Sequence, residues 1–233
     1  VIQEIKQFKS RPAQQQLVLS DGTELSYSHL FNCTGLQADR IAQSFGIGDH
    51  YTLLPFKGLY WQIKANCPIQ PRTNLYPVPD LNVPFLGVHF TRMIDGSIEC
   101  GPNAVFSFAR EGYKKTSFNF KDSFDSLTWP GLFFLTRKYW KEGIGEFYRS
   151  LFKEAFVSEL QKLVPAIESD DIVSGNPGIR AQACSINGDL IDDFYYIKSK
   201  NIIHLCNAPS PAATASLAIG KNIVSIISKK LNF

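Results

Sequence analysis

Apolar and polar positions alternate through the first part of the chain, and that period predicts strands. VIQEIKQF reads as one strand, and QQLVLSDGTELSY as two more joined at Asp21-Gly22, a hairpin turn signal. HLFNC is a further strand. It runs into Thr34-Gly35 and then a short helix from about Gln37 to Phe45, ended by Gly46. Strand, glycine turn and helix in that order are the local grammar of an α/β unit.

From Leu53 to Ala104 the pattern becomes strands separated by proline-rich turns. The clearest hairpin is PFLGVHFTRMIDGSIECGPNA. A two-residue turn at Asp95-Gly96 would pair Ile94 with Ser97, Arg92 with Glu99, Thr91 with Cys100 and His89 with Pro102. Alternation then puts Leu86, Val88 and Phe90 on a core face, and Gly87, His89 and Thr91 on the other. That second face carries one imidazole among small residues, as a surface under a ligand would. Residues 120–164 read as helical, with the apolar positions 147, 148, 151, 152, 155, 156, 160, 163 and 164 tracing one stripe that Pro165 stops. Strands return with GIRAQAC, a turn at Asn187-Gly188, FYYI and IIHLC. A last helix is expected to start with Ser210 as its cap and Pro211 in its first turn, and Lys229 and Lys230 suit its negative end.

Composition narrows the class. With 44% hydrophobic and 19% charged residues, the chain is of globular type. The 24 Lys and Arg against 21 Asp and Glu leave a net charge of +3, too weak and too spread to argue for nucleic acid. No apolar run approaches the roughly 18 residues of a membrane span. The cysteines Cys33, Cys67, Cys100, Cys184 and Cys206 lack CxxC spacing and read as reduced, buried thiols of a cytoplasmic-type compartment, with no metal site. Gly46-Ile47-Gly48 and Gly143-Ile144-Gly145 lack the third glycine and the preceding strand of a dinucleotide fingerprint. The residues alone therefore give an α/β portion joined to an antiparallel sheet, with His89, Arg180 and the Ser210 helix start as candidate sites.

The segments LFNCTGLQADRIA, LLPFKGLYWQIK, LYPVPDLNVPFLGVHFTRMIDGSIECGPNAVFSFAREGYKK, NPGIRAQA and IIHLCNAPSPAATASLAIG carry more. Together they resemble the L-2-hydroxyglutarate oxidase/dehydrogenase family, within the FAD-dependent D-amino-acid-oxidase-type superfamily. The likeness covers nearly the whole chain. It lacks the amino-terminal part where that family keeps its first strand, GxGxxG turn and ribose-binding acidic residue. The chain, which begins at Val1, is thus expected to be the C-terminal portion of such an enzyme, binding FAD weakly or not at all by itself and inactive alone.

The resemblance implies a mixed fold of α+β and α/β character: a large, mainly antiparallel substrate-domain sheet with helices, plus pieces of a Rossmann-type FAD-binding domain at both ends. The implied boundaries are 1–48 and 185–233 for the FAD-binding pieces and 49–184 for the substrate domain. The implied reaction oxidises L-2-hydroxyglutarate, a small dicarboxylate, to 2-oxoglutarate, with a quinone or oxygen as electron acceptor. The resemblance also implies a cytoplasmic enzyme with peripheral association at the inner face of the membrane. Such chemistry needs a base near neutral pH, cations for carboxylates and donors beside the flavin. His89 is the candidate base and Arg180 the candidate carboxylate clamp, with Lys57 and Tyr60 as further substrate contacts. Asn207, Ala208, Ser210, Ala212, Ala213 and Thr214, with Thr34, Gly35 and Leu36, are the expected cofactor contacts. His29, His50 and His204 read as structural or exposed. An amine or amino-acid oxidase of the same superfamily, or a non-catalytic binding module, are the alternatives. A chain lacking central strands is also expected to self-associate through open sheet edges and apolar surface.

Overall fold

The computed structural model describes residues 8–78, 87–199, 201–209 and 212–231. In chain order the first elements are β1 (Phe8–Arg11), β2 (Gln16–Leu19), β3 (Glu24–Ser26), β4 (Leu30–Asn32), a 3-10 turn (Gly35–Gln37) and α1 (Ala38–Ser44). Then come β5 (Tyr51–Ile63), β6 (His89–Arg92) and β7 (Ile98–Phe106), followed by α2 (Phe120–Leu127), α3 (Pro130–Lys138), α4 (Trp140–Leu151) and α5 (Lys153–Gln161). The chain closes with β8 (Ile172–Ser174), β9 (Gly178–Ser185), β10 (Tyr195–Ser199), β11 (Ile202–Asn207) and α6 (Ser216–Leu231).

These elements form two units, one of Val1–Asp49 with Ile191–Phe233 and one of His50–Leu190. The second division between these units falls at 190/191. Ser185 accepts a backbone bond from Gly188 and donates one to Asp189, and Cys184 bridges Leu190, so the turn after β9 belongs to its own strand.

In the first unit, β1, β2 and β3 make an antiparallel meander, and Gly22, at φ +85°, makes the turn between β2 and β3. A second sheet has the order β10-β11-β4, with β11 and β4 parallel and His204 beside Asn32. α1 follows β4 as expected and ends at Phe45 and Gly46, the glycine at φ +75°. The last helix departs from expectation. Residues 212–215 are turns, and α6 begins at Ser216; the proposed cap, Ser210-Pro211, lies outside the described residues.

The second unit is built on β5, a 13-residue strand in a sheet of order β6-β7-β5-β8, with β9 also paired to β5. The β6–β7 register is one residue off the expected one: His89 faces Gly101, Thr91 faces Glu99 and Arg92 faces Ile98. The cause is a longer turn. Met93 accepts from Gly96, at φ +86°, and donates to Ser97, so three residues and not two form the loop. Arg92 is therefore not opposite Glu99; its guanidinium lies 3.5 Å from the Pro71 carbonyl oxygen, and its backbone amide donates to Asn74 Oδ1 at 2.8 Å. The face assignment holds for the described residues, because alternation within β6 does not depend on its partner: Val88 and Phe90 are buried and His89 half-buried, while Leu86 lies outside the described residues.

The expected stripe over 144–164 is cut at Phe152, whose backbone is extended (φ −112°, ψ 111°). Its second half, Phe156, Val157 and Leu160 on α5, packs with Phe90, Ile98, Cys100 and Ile172 into the main core on one face of the sheet. Its first half, on α4, stays exposed at Phe147, Tyr148 and Leu151. The smaller core of Leu54, Cys184 and Leu135 joins α3 to β5 and β9. All five cysteines are free; four are buried, but Cys33 is exposed, against expectation, because it follows the last residue of β4.

Candidate functional site

The second unit gathers three of the four expected substrate residues on one face of its sheet. Between β5 and β7 the register shifts: Leu59 pairs with Asn103 but Trp61 with Cys100, which gives β7 one extra residue opposite Tyr60. A bulge of this kind re-aims the flanking side chains. Trp61 packs on the main core, so Tyr60 points to the opposite face. His89 lies on that face too, since its neighbour Phe90 is in the core. Arg180 pairs with Phe56, and alternation along β5 places it with Gly58 and Tyr60.

Glycines make room there. A Cβ on Gly58 would meet the Tyr60 ring at 3.3 Å and Pro102 at 2.8 Å, and one on Gly178 would meet the same ring at 3.5 Å. Tyr60 thus lies across Gly58 and Gly178. Burial, reinforced by the Glu99 carboxylate, pushes the Tyr60 phenol up from its ordinary range, while Arg180 pulls it the other way. Tyr60, Arg180 and Glu99 therefore share one electrostatic neighbourhood. Glu99 is a member that the expected register had assigned to Arg92.

The geometry of His89 suits a base. Its Nδ1 is 3.0 Å from the Gly87 carbonyl oxygen, which can only accept, so in the neutral ring Nδ1 carries the proton and Nε2 the lone pair. The Tyr76 ring lies against the imidazole at 4.6 Å, tilted by 30°. Nothing in the spacing of the sequence pointed to Tyr76.

Lys57 lies on the other face. It is 5% exposed, and its Nζ donates to the carbonyls of Lys114 (2.7 Å) and Lys115 (3.3 Å). Burial pulls this ammonium down from its ordinary range. It fastens the 114–115 segment under the sheet.

In the first unit, the expected cofactor residues lie on loops at the carboxyl ends of β4 and β11, which are parallel neighbours. Ligands of open α/β sheets bind at such ends. Thr34 and Gly35 are exposed, Leu36 half-buried, and Gly35 has φ +56° with open space where a Cβ would stand. Ala208, Ala213 and Thr214 are exposed and Ala212 half-buried, so small side chains leave the backbone approachable. These features fit a flavin dinucleotide. Asn207 differs from the rest: it is buried, and its Nδ2 donates to the carbonyls of Ile191 (2.6 Å) and Asp193 (2.9 Å), tying β11 to the segment before β10. Ser210 lies outside the described residues.

A family profile described as FAD dependent oxidoreductase (DAO) matches residues 3–226. The chain belongs to this family. Two curated relatives are an L-2-hydroxyglutarate dehydrogenase of Indibacter alkaliphilus, 48% identical over 199 residues, and the mitochondrial one of Nematostella vectensis, 46% identical over 201. These alignments cover 83% and 84% of this chain but 49% and 44% of the relatives, so the chain spans about half their length. Among solved structures, FAD-bound L-alpha-glycerophosphate oxidase from Mycoplasma pneumoniae superposes with a TM-score of 0.61, over 95% of this chain and 49% of that one. At 16% identity this likeness is one of fold. Among the described residues, no helix is long and apolar enough to cross a membrane, and no group of His, Cys, Asp and Glu could hold a metal ion.

Proposed function

We propose that this chain is part of an FAD-dependent enzyme that oxidises L-2-hydroxyglutarate to 2-oxoglutarate. The observation that carries the reading is the placement of His89, Tyr60 and Arg180 on one face of a sheet lined there by Gly58 and Gly178, in a chain 48% identical to a dehydrogenase named for that substrate. The first unit contributes the cofactor contacts at Thr34, Gly35, Leu36, Ala208, Ala212, Ala213 and Thr214, and the second unit the substrate contacts. Arg180 offers a carboxylate two parallel N–H donors, and the Tyr60 hydroxyl donates beside it. His89 Nε2 takes the proton of the C2 hydroxyl. Bound FAD supplies the acceptor for the C2 hydride, with a quinone or oxygen as the final acceptor. Lys57 acts at one remove, through the segment it fastens.

Exposed apolar side chains on α4 (Trp140, Ile144, Phe147, Tyr148 and Leu151) support peripheral attachment of the longer protein to a membrane or to a second copy. Vesicle flotation and light scattering separate these two.

The test is turnover of the protein made from its complete reading frame, with L-2-hydroxyglutarate, its D isomer and a panel of amines. Activity on the L isomer alone is expected. Arg180→Lys should raise KM by about tenfold or more, the loss of one bidentate contact. His89→Asn should lower kcat by about a hundredfold or more, the usual share of a general base. Unchanged turnover in both variants sinks the assigned roles, and preference for an amine moves the enzyme to the amine-oxidase branch of the family.

A further inference from the structure

His204 is fully buried in the middle of the β10-β11-β4 sheet, and its neighbour across the parallel register is Asn32, 2% exposed. The Asn32 amide can be oriented in one way only. Its Nδ2 is 2.8 Å from the Ala38 carbonyl oxygen, which must accept, and its Oδ1 is 3.4 Å from the Thr34 amide and 2.7 Å from the Thr34 hydroxyl, the first of which must donate. The same Nδ2 lies 2.9 Å from His204 Nδ1, so that nitrogen accepts and the proton of the neutral ring sits on Nε2. Phe45 meets the imidazole edge to face at 5.4 Å, and Nε2 has no hydrogen-bond partner among the described residues.

We propose that His204 is a positioning residue: by accepting from Asn32 it fixes the amide that shapes the Thr34-Gly35 turn, and so presets the loop that receives the flavin dinucleotide. The flavin part rests on the function proposed above; the positioning part rests on the hydrogen bonds alone. Asn32 has two donors and two acceptor lone pairs, and it spends them on three partners in different elements: the start of α1, the turn itself and β11. Without an acceptor at residue 204, one Nδ2 proton is buried and unpaired. The amide then gains by rotating toward water, and the Oδ1 that holds Thr34 leaves with it. A ring with its proton on Nε2 is well suited to the task, because it offers the Asn32 amide one acceptor and no competing donor. Burial pulls the His204 imidazole down from its ordinary range, which keeps that acceptor available near neutral pH.

The experiment compares His204→Leu with His204→Asn in the protein made from its complete reading frame. Asn places its Oδ1 about where the imidazole has Nδ1, so it restores the acceptor while losing the ring; Leu keeps apolar volume and loses the acceptor. Two readouts are taken: amide hydrogen exchange of residues 33–38, and FAD affinity of the stripped protein by fluorescence titration. Loss of one hydrogen bond of this class predicts exchange and FAD Kd both raised about five- to tenfold in the Leu variant, with the Asn variant within about twofold of the wild type. Unchanged exchange in the Leu variant, or an Asn variant as impaired as the Leu one, overturns the positioning role. Exchange that rises and is rescued while FAD affinity stays constant keeps the positioning role and overturns the flavin role of the turn. Selective 15N labelling of the histidines in the unmutated protein gives a check free of folding defects: an Nε2–H tautomer is expected at His204, and an Nδ1–H tautomer overturns the inference.

Discussion

Replacing Glu146 tests how the outer edge of the site-bearing sheet is held. Among the described residues, β6 pairs with β7 only as far as His89–Gly101. Beyond that point Glu146 of α4 holds β7: its Oε2 accepts from the Ala104 amide at 2.9 Å, and its Oε1 from Arg149 at 2.6 Å. The next residue, Asn103, accepts from the Leu59 amide at 3.1 Å, directly before the bulge that aims Tyr60. Glu146→Ala removes a charge-assisted hydrogen bond of about 1.5–3 kcal/mol. The Glu146 side chain is 21% exposed, which favours the lower half of that range, so about 2 kcal/mol is expected. For a unit of this size that is a fall of about 4–8 °C in Tm. Glu146→Gln keeps an oxygen for Ala104 but loses the charge and the Arg149 pair, and should cost about 1 kcal/mol. Urea unfolding of both variants, followed by tryptophan fluorescence, measures this. An Ala variant within about 0.5 kcal/mol of the wild type, or a Gln variant as damaged as the Ala one, would show that β7 does not depend on this cap.

Three further outcomes can be measured. Gly131→Ala drives a Cβ into the Ser185 carbonyl oxygen, a backbone atom that cannot yield easily; a loss of about 1–3 kcal/mol should appear in the urea midpoint, and a neutral result would mean that α3 does not seat on β9 this closely. His204 titrates near pH 6.5 when unfolded and lower when buried. Below pH 6.5 the unfolded chain therefore binds a proton that the folded one refuses, and stability is lost as pH falls toward the folded value, by at most about 1.4 kcal/mol per unit. This slope between pH 7 and 5 should flatten in His204→Asn, and an identical slope there refutes the assignment. Cysteine labelling without denaturant should modify Cys33 first, since burial pushes Cys100 to about 12 and Cys184 to about 11 and keeps both protonated; mass spectrometry that finds Cys100 or Cys184 labelled as fast would contradict their burial.

Much of the architecture was legible in the chain. The hairpin at Asp21-Gly22, the α1 stop at Gly46, the turn at Asn187-Gly188 and the strands GIRAQAC and IIHLC follow from local rules: alternation, and glycine where φ must be positive. The face of His89 was legible for the same reason. Where the reading failed, the deciding contact was non-local or the local choices were nearly balanced. Asp95-Gly96 suits a two- or a three-residue loop, and the longer one moved every β6–β7 partner by one. The apolar run over 144–164 fits one helix, yet the extended backbone at Phe152 splits it, burying Phe156 and Leu160 and leaving Phe147 and Leu151 outside.

By itself the sequence determined which segments pair or coil, which glycines turn them, and which family the chain resembles, because these depend on residues close together or on motifs read in order. Only the tertiary structure decided that Tyr60, Arg180 and His89 share a face while Lys57 does not, and that Asn207 and His204 serve the sheet interior. The packing of Trp61 on the main core, the extra residue in β7 opposite Tyr60, the Asn207 bonds to Ile191 and Asp193, and the Asn32–His204 hydrogen bond settle those outcomes. Side-chain direction reverses with each residue along a strand. The face a residue presents therefore depends on register and bulges, which are fixed by contacts between segments far apart in the chain.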